Sequence, residues 1–519
     1  MIRKISFVNI EKSYFRVLFH ILQTQGLTYT EISAIRKRLR HRKRGMIMDL
    51  ERLFYPKSVA VIGASPYMGG GKLPYFQLLR MAGFKGDVFP VNPKYAEIDG
   101  IRSYASIDEL PEGIDFAIIA APAGKSVEVI KAAARRKIKF VHFFTSGFGE
   151  TGNHTLEREL VREARKGGIR IVGPNCIGIY SPEAGVVFDY VKEEDAVRNV
   201  ACLSQSGGAT SNFVRMAASK KVGMTKVVSY GNQIDIKAEH YLGYFADDKR
   251  VRLIAGYIED IKEPRSFLDA LGRATRTKPV VILKGGMTAQ GARAAASHTG
   301  ALASNHRIWS SAVRQHGGIL VDTFERLLDV TMVGTGKVTP RGRRMGFLGA
   351  GGGAAVSFTD LAVLAGLSLP ELSPETQQLI SRKIRDINTS TTNPVDLGFY
   401  GFDFSIMAHT ISAMARDDAI DVIVPYFSVD YIGTFARDQV ESGPRTIIEM
   451  ARELDKPVIP VLSIFSENDI DMENIRISIF NEFRKERLPV YSTIQDAIYA
   501  ISKYVEWQER TNSLREAVS

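Results

Sequence analysis

Nine histidines occur in the 519 residues, and one of them, His298, stands in a run of small side chains, GGMTAQGARAAASHTGALASN. A core histidine belongs in an apolar element, and this segment is not one. A metal-bound histidine needs His, Cys or acidic partners at helical or hairpin spacing, and none is present. A third reading is a nucleophile on a glycine-rich, movable loop, with Gly285, Gly286, Gly291 and Gly300 permitting the movement. A nucleophilic imidazole must be neutral, with one nitrogen oriented by an acceptor so that the other can attack. Glu259, at the end of the apolar stretch LIAGYIED, can be that acceptor, whereas Asp260 points to the opposite side of an extended segment. A lone histidine is as well explained without chemistry, so both readings stand at this point.

Three glycine-rich turns follow apolar strand-like runs. The first, VAVIGAS, places Gly63, Ala64 and Ser65 where a phosphate could approach the backbone and the next helix start. It lacks a clean G-x-G-x-x-G, so a nicotinamide dinucleotide is not supported. The others are LSQSGGAT, with Ser204, Ser206 and Gly207, and GAGGGAAV, with Gly351, Gly352 and Gly353. Two helix starts aimed at one point would hold a phosphoryl group through N–H groups and helix dipoles. Close helix-on-sheet packing is the alternative reason for the same glycines.

The elements that must carry these residues alternate strand and helix from Lys57 onward. SVAVIG, DVFPVN, FAIIAAP, FVHFFTS and IRIVGPN are strand-like, with helical SVEVIKAAARRK and LERELVREARKGG between them. A second series begins at NVACLSQSGG and a third at RMGFLGAGGG. The reading is α/β, with three consecutive parallel-sheet domains and ligands at the carboxyl ends of the strands. The expected divisions are a basic N-terminal extension over 1–47, then domains at 48–182, 190–335 and 340–519.

Composition limits the function classes. Hydrophobic residues make up 45% of the chain, and no apolar run approaches the roughly 20 residues of a membrane span. The two cysteines, Cys176 and Cys202, exclude a disulfide framework and a cysteine-rich metal site, which fits a cytoplasmic setting. Of the net charge of +11, nine units lie in residues 1–47, so the body is nearly neutral and nucleic acid is not the expected partner. The basic head reads as an appended segment, translated from a start upstream of Met46 or Met48.

Taken together, the motifs FYPKSVAVIGAS, VFPVNPKYAEIDGIRSYASIDELP, SGFGETG, GPNCIGIYSP, LSQSGG, GYIEDI, KPVVILKGG, SHTGAL and NPVDLG resemble the NDP-forming acyl-CoA synthetases. These comprise the ADP-forming acetyl-CoA synthetases and succinyl-CoA synthetase, and the resemblance is to the CoA-binding, phosphohistidine-bearing alpha-type subunit. It covers residues 48 to about 510 and implies a Rossmann-like CoA-binding domain followed by two flavodoxin-like domains. It implies that His298 carries a phosphoryl group between an acyl phosphate and ADP, with Glu259 orienting it. Paired helix starts at Ser204, Ser206, Gly207 and Gly351 to Gly353 would surround that group. Coenzyme A is assigned to Gly63, Ala64, Ser65, Lys94, Pro122, Ser146 and Asn175.

The family also needs an ATP-grasp module for ADP or ATP and Mg2+. None follows the third domain, so a separate beta-type subunit in a hetero-oligomer is expected, with a small carboxylic acid or acyl-CoA as substrate and no metal on this chain. FLGAGGG and LASNH depart from the family's usual Asn-Ala-Gly-Gly and Leu-Ala-Gly-Ser runs, which bears on the acyl substrate and the phosphate geometry. A non-catalytic CoA-binding regulator of the same fold is the alternative.

Overall fold

The computed structural model describes residues 48–67, 73–191, 196–299, 306–384, 388–466 and 468–516, with backbone alone for 296–299 and 514–516. Its first sheet contains β1 (Ser58–Ile62), β2 (Asp87–Val91), β3 (Phe116–Ile119), β4 (Phe140–Phe143) and β5 (Arg170–Val172), all parallel, in the order β2-β1-β3-β4-β5. The chain then supplies β6 (Gly178–Tyr180) as an antiparallel edge of the second sheet. That sheet continues with β7 (Val197–Ser204), β8 (Val222–Ser229), β9 (Leu253–Ile258), β10 (Val280–Lys284) and β11 (Ile319–Val321), in the order β11-β10-β9-β7-β8-β6. The third sheet holds β12 (Met345–Gly349), β13 (Val395–Asp396), β14 (Val422–Ser428) and β15 (Val461–Ser463), in the order β13-β12-β14-β15.

Each sheet repeats one winding: the first parallel strand is flanked by the second and the third, so the order reverses beside it. Ligands of open α/β sheets bind outside the carboxyl ends of the strands at such a reversal. The three reversals fall at β1/β3, β7/β9 and β12/β14, and each first strand runs directly into one of the glycine-rich turns. The sequence pattern and the topology therefore select the same three places.

The strands are buried on both faces, as parallel sheets covered by helices must be. Val59 and Val61 of β1 enter one core, and Ala60 and Ile62 the core on the opposite face. In the third sheet Met345 and Phe347 of β12 face the shared core, while Leu348 faces a separate one. The shared core runs through all three sheets.

Five helices matter for the site: α1 (Gly207–Ser219), α2 (Ala289–Thr299), α3 (Phe324–Thr335), α4 (Gly352–Leu364) and α5 (Ile494–Glu516). Helix α5 returns from the third sheet and packs on α3, with Trp507 Nε1 donating to the Thr275 carbonyl at 3.2 Å. Among the described residues no helix is long and apolar enough to cross a membrane.

Candidate functional site

At the reversal of the second sheet, β7 ends at Ser204 and α1 begins at Gly207. Ser206 is the N-cap: its Oγ accepts the Ala209 N–H at 3.4 Å, as serine at a helix start commonly does. Ser204 Oγ donates to the Ser206 carbonyl at 3.2 Å. Glycine is required at 207 because a Cβ there would lie 2.9 Å from Ile177 Cγ2. Ile177 follows the GPNC turn of the first sheet, so this contact sets the carboxyl edge of that sheet against the start of α1.

Across the reversal, β9 ends at Ile258 and Glu259 is the next residue, with only 9% of its surface exposed. Tyr257 hydrogen-bonds Glu259, and burial together with that carboxylate pushes the Tyr257 hydroxyl well above its usual pKa. The chain of β10 then leaves through Gly285, where a Cβ would fall 2.6 Å from Tyr257 Oη and 3.0 Å from Glu259 Cγ. Only glycine admits the strand that leads toward His298 this close to the carboxylate.

The segment read as a loop is helical over Ala289–Thr299, because AQGARAAASHT is rich in alanine, the strongest helix former. The backbone of His298 thus sits in the last turn of α2, while its side chain lies outside the described residues. Helix α2 lies against the Gly149–Thr151 turn of the first sheet. That turn is folded around carboxylates: Glu150 accepts the Gly147 N–H at 2.6 Å, and Glu157 accepts the Gly149 N–H at 3.0 Å. Asn232, from the second sheet, donates to both carboxylates at 2.5 and 2.9 Å. Burial would raise the Glu150 pKa, but these donors hold it below the usual range.

The residues assigned to CoA all lie at the carboxyl edge of the first sheet. Gly63 has φ +85°, and a Cβ there would meet the Ala120 carbonyl oxygen at 2.9 Å, so the turn after β1 can pass this close to the chain leaving β3 only with glycine. The Ala64 carbonyl accepts Asn92 Nδ2 at 2.7 Å, and Ser65 Oγ accepts the Tyr67 N–H at 3.2 Å. Lys94, Pro122 and Ser146 are exposed on the loops after β2, β3 and β4. Asn175, with φ +58°, approaches Asn232 Oδ1 at 3.5 Å and so reaches the second sheet.

Gly351 (φ +106°), Gly352 and Gly353 form the exposed start of α4 on the third sheet. Asp396 sits on this start: its Oδ1 accepts the N–H of Gly351 at 3.0 Å and that of Gly398 at 2.9 Å. Helix α4 packs on α5, α5 on α3, and α3 on α1, so the two glycine-rich helix starts belong to separate sheets linked through these helices.

The sequence reading missed Gln205, Lys284 and Asp396. Each lies within a motif, but its partners are backbone atoms, and spacing does not disclose those. Among the described residues, no group of three His, Cys, Asp or Glu side chains is placed to hold a metal ion.

The glycine-turn edge of the first sheet is thus set against a serine- and glycine-lined helix start, with a buried carboxylate across the reversal of the second sheet. Residues 57–182 match the family described as CoA binding domain, and residues 197–333 match succinyl-CoA ligase like flavodoxin domain. The alpha subunit of ADP-forming acetate–CoA ligase II from Pyrococcus furiosus is 31% identical over 460 residues, covering 87% of this chain and 97% of that protein. The ADP-forming acetate–CoA ligase of Methanocaldococcus jannaschii is 33% identical over 353 residues, which span 68% of this chain and 50% of that longer protein. Among solved structures, dinucleotide forming acetyl-coenzyme A synthetase 1 of Ca. Korarchaeum cryptofilum, in complex with phosphate and ADP, superimposes with a TM-score of 0.81 at 29% identity, over 91% of this chain and 99% of that one. The chain belongs to the family of ADP-forming acetate–CoA ligase alpha subunits.

Proposed function

We propose that this chain is the alpha-type subunit of an ADP-forming acyl-CoA synthetase, an acid-thiol ligase that interconverts acyl-CoA, phosphate and ADP with free acid, CoA and ATP. A phosphate oxygen attacks the thioester carbonyl, the C–S bond breaks, and CoA leaves as its thiol, giving an acyl phosphate. An imidazole nitrogen of His298 then attacks phosphorus, and the carboxylate leaves with the bridging oxygen. The phosphohistidine finally yields its phosphoryl group to a terminal oxygen of ADP.

In this reading Glu259 accepts the proton-bearing nitrogen of His298 and leaves the other free to attack. The N–H groups at Ser206 and Gly207, the hydroxyl of Ser204 and the start of α4 at Gly351, Gly352 and Gly353 stabilise the phosphoryl oxygens, which is the main demand of phosphoryl transfer. Gly63, Ala64, Ser65, Lys94, Pro122, Ser146 and Asn175 hold CoA, with Lys94 as a point charge for one of its phosphates. The working units are 48–182, 190–335 and 340–519, and an ATP-grasp beta-type subunit supplies ADP or ATP and Mg2+. The relative named as an alpha subunit, nearly the same length as the matched region, and the longer Methanocaldococcus relative, half of which lies outside the match, both support a partner module.

The observation that carries the reading is the reversal at β7/β9. It sets Glu259 beside a serine- and glycine-lined helix start, while the helix bearing His298 lies on the Gly149–Thr151 turn of the CoA-type sheet. The test is to incubate the chain with radiolabelled phosphate, Mg2+ and a panel of acetyl-, branched aliphatic and aromatic acyl-CoAs, beside His298→Asn. Acid-labile label on the wild type alone is the expected result, and the donor that works names the acyl class. CoA binding with no label from any donor, even with an ATP-grasp subunit and ATP, would replace this reading with that of a CoA-binding regulator.

A further inference from the structure

Strand β9 ends at Ile258, so the peptide carrying Glu259 has left the ladder that holds the strand. Two buried side chains from the neighbouring strands take over its backbone partners. Gln205, 5% exposed in the turn after β7, accepts the N–H of Glu259 at 2.5 Å and of Asp260 at 2.7 Å through one side-chain oxygen. Lys284, 4% exposed at the end of β10, donates its ammonium to the Glu259 carbonyl at 2.8 Å and also to the carbonyl of Gly285. The Gln205 N–H meanwhile donates to the Tyr257 carbonyl at 3.1 Å, so the turn is anchored on both sides of Ile258.

Burying an ammonium is costly unless it is bonded, and burial pulls the Lys284 pKa down despite the nearby Asp260 and Glu259. A leucine would fill the same space without that cost, which gives the lysine a purpose beyond packing. What its bonds secure is the junction between Glu259 and the Gly285–Gly286 turn that leads into α2.

We propose that Gln205 and Lys284 are positioning residues, one from each neighbouring strand, that fix the Glu259 peptide and thereby aim its carboxylate. The inference rests on the proposed role of Glu259 in orienting His298. A misplacement of about 1 Å at such a group can cost on the order of 100-fold in rate. Residues that act only through Glu259 must also lose their effect once its carboxylate is gone.

The experiment is a double-mutant cycle on formation of acid-labile phosphoenzyme from radiolabelled phosphate and the acyl-CoA panel. Gln205→Leu and Lys284→Met are each made in the wild type and in Glu259→Gln. Thermal midpoints are followed for all variants. The expected result is a loss of about 10- to 100-fold in the wild-type background and of less than about 3-fold in Glu259→Gln. Equal losses in both backgrounds, losses that track the thermal midpoint alone, or no loss in either would overturn the positioning role while leaving the phosphohistidine reading intact. A wild type that binds CoA but never takes up label would overturn both.

Discussion

Asp235 closes the first sheet against the second: its carboxylate receives Arg170 Nε at 2.7 Å, Arg170 Nη2 at 3.1 Å and the Ile171 N–H at 2.9 Å. Asp235 is 6% exposed, and all three donors belong to β5, the last strand before the chain crosses between sheets. The joint lies one turn from Asn232 and so stiffens the junction on which the proposed site depends.

Asp235→Ala leaves the Ile171 N–H without its acceptor and takes the partner from a guanidinium that is one third exposed, at a cost of about 2 kcal/mol. The expected outcome is loss of hydrogen-exchange protection at Arg170–Val172 and a lower thermal midpoint. Arg135→Ala, which breaks an ion pair to the exposed Asp108, is expected to leave both readouts close to wild type, because solvent screens that pair. Equal effects for the two variants would show that the Asp235 joint is no stronger than a surface pair.

Glu259→Gln keeps the shape of the side chain but removes the charge that, in the proposed function, steadies the protonated imidazole nitrogen of His298. Phosphoenzyme formation is expected to fall about 100- to 10,000-fold with CoA affinity unchanged. Gly285→Ala approaches the same carboxylate sterically, and fitting the methyl costs about 1–3 kcal/mol through displacement of Tyr257 and Glu259. Its expected signature is a slower phosphoryl transfer with little change in CoA binding, measured by calorimetry beside the labelling assay. Full activity in Gly285→Ala would show that the close approach has no bearing on the chemistry.

In the first sheet, Gly63→Val combines a positive φ with a side chain driven into the Ala120 carbonyl. Calorimetric CoA binding is expected to be lost, while exchange protection in β7 and β9 is kept. Lys94→Ala removes one exposed point charge, so CoA affinity is expected to fall about 10-fold at low salt and less at high salt, where screening already weakens the contact. A Lys94 effect independent of salt would place the lysine away from the phosphates.

The three strand–turn–helix starts were legible because each is a short apolar run closed by glycine, and β1, β7 and β12 begin and end within two residues of those runs. PVIPVLS yields a strand only at Val461–Ser463, since its two prolines remove donors from the ladder. GIY after the GPNC turn carried no signal for an antiparallel edge, because its partner Val227–Ser229 lies nearly fifty residues on. Glu259 could be found as an acid after an apolar strand. Lys284, after a run just as apolar, reads as a surface lysine until the carbonyls it bonds are seen. Asp396 within NPVDLG likewise becomes a helix cap only when β13 is placed beside β12.

The last prediction concerns acid. Asp329 lies on α3 and is 2% exposed, with Lys220 Nζ at 3.1 Å; burial lifts its carboxyl to about 6 against the pull of that lysine. The unfolded value is about 3.9, so between the two the folded state binds the extra proton and stability falls as pH rises. The contribution is fully present below about pH 4 and gone above pH 6, a span on the order of 3 kcal/mol. Asp329→Asn cannot ionise, so it is expected to match the wild type near pH 3.5 and to be more stable at pH 7.5. The Tyr491 hydroxyl bonds the backbone carbonyl of residue 329 and is untouched by the change. Comparing thermal midpoints of the two proteins at each pH cancels every other titrating group, including buried His142, whose pKa is pulled down to about 4. A difference that is the same at both pH values would mean that Lys220 holds Asp329 ionised throughout and that burial does not govern this carboxyl.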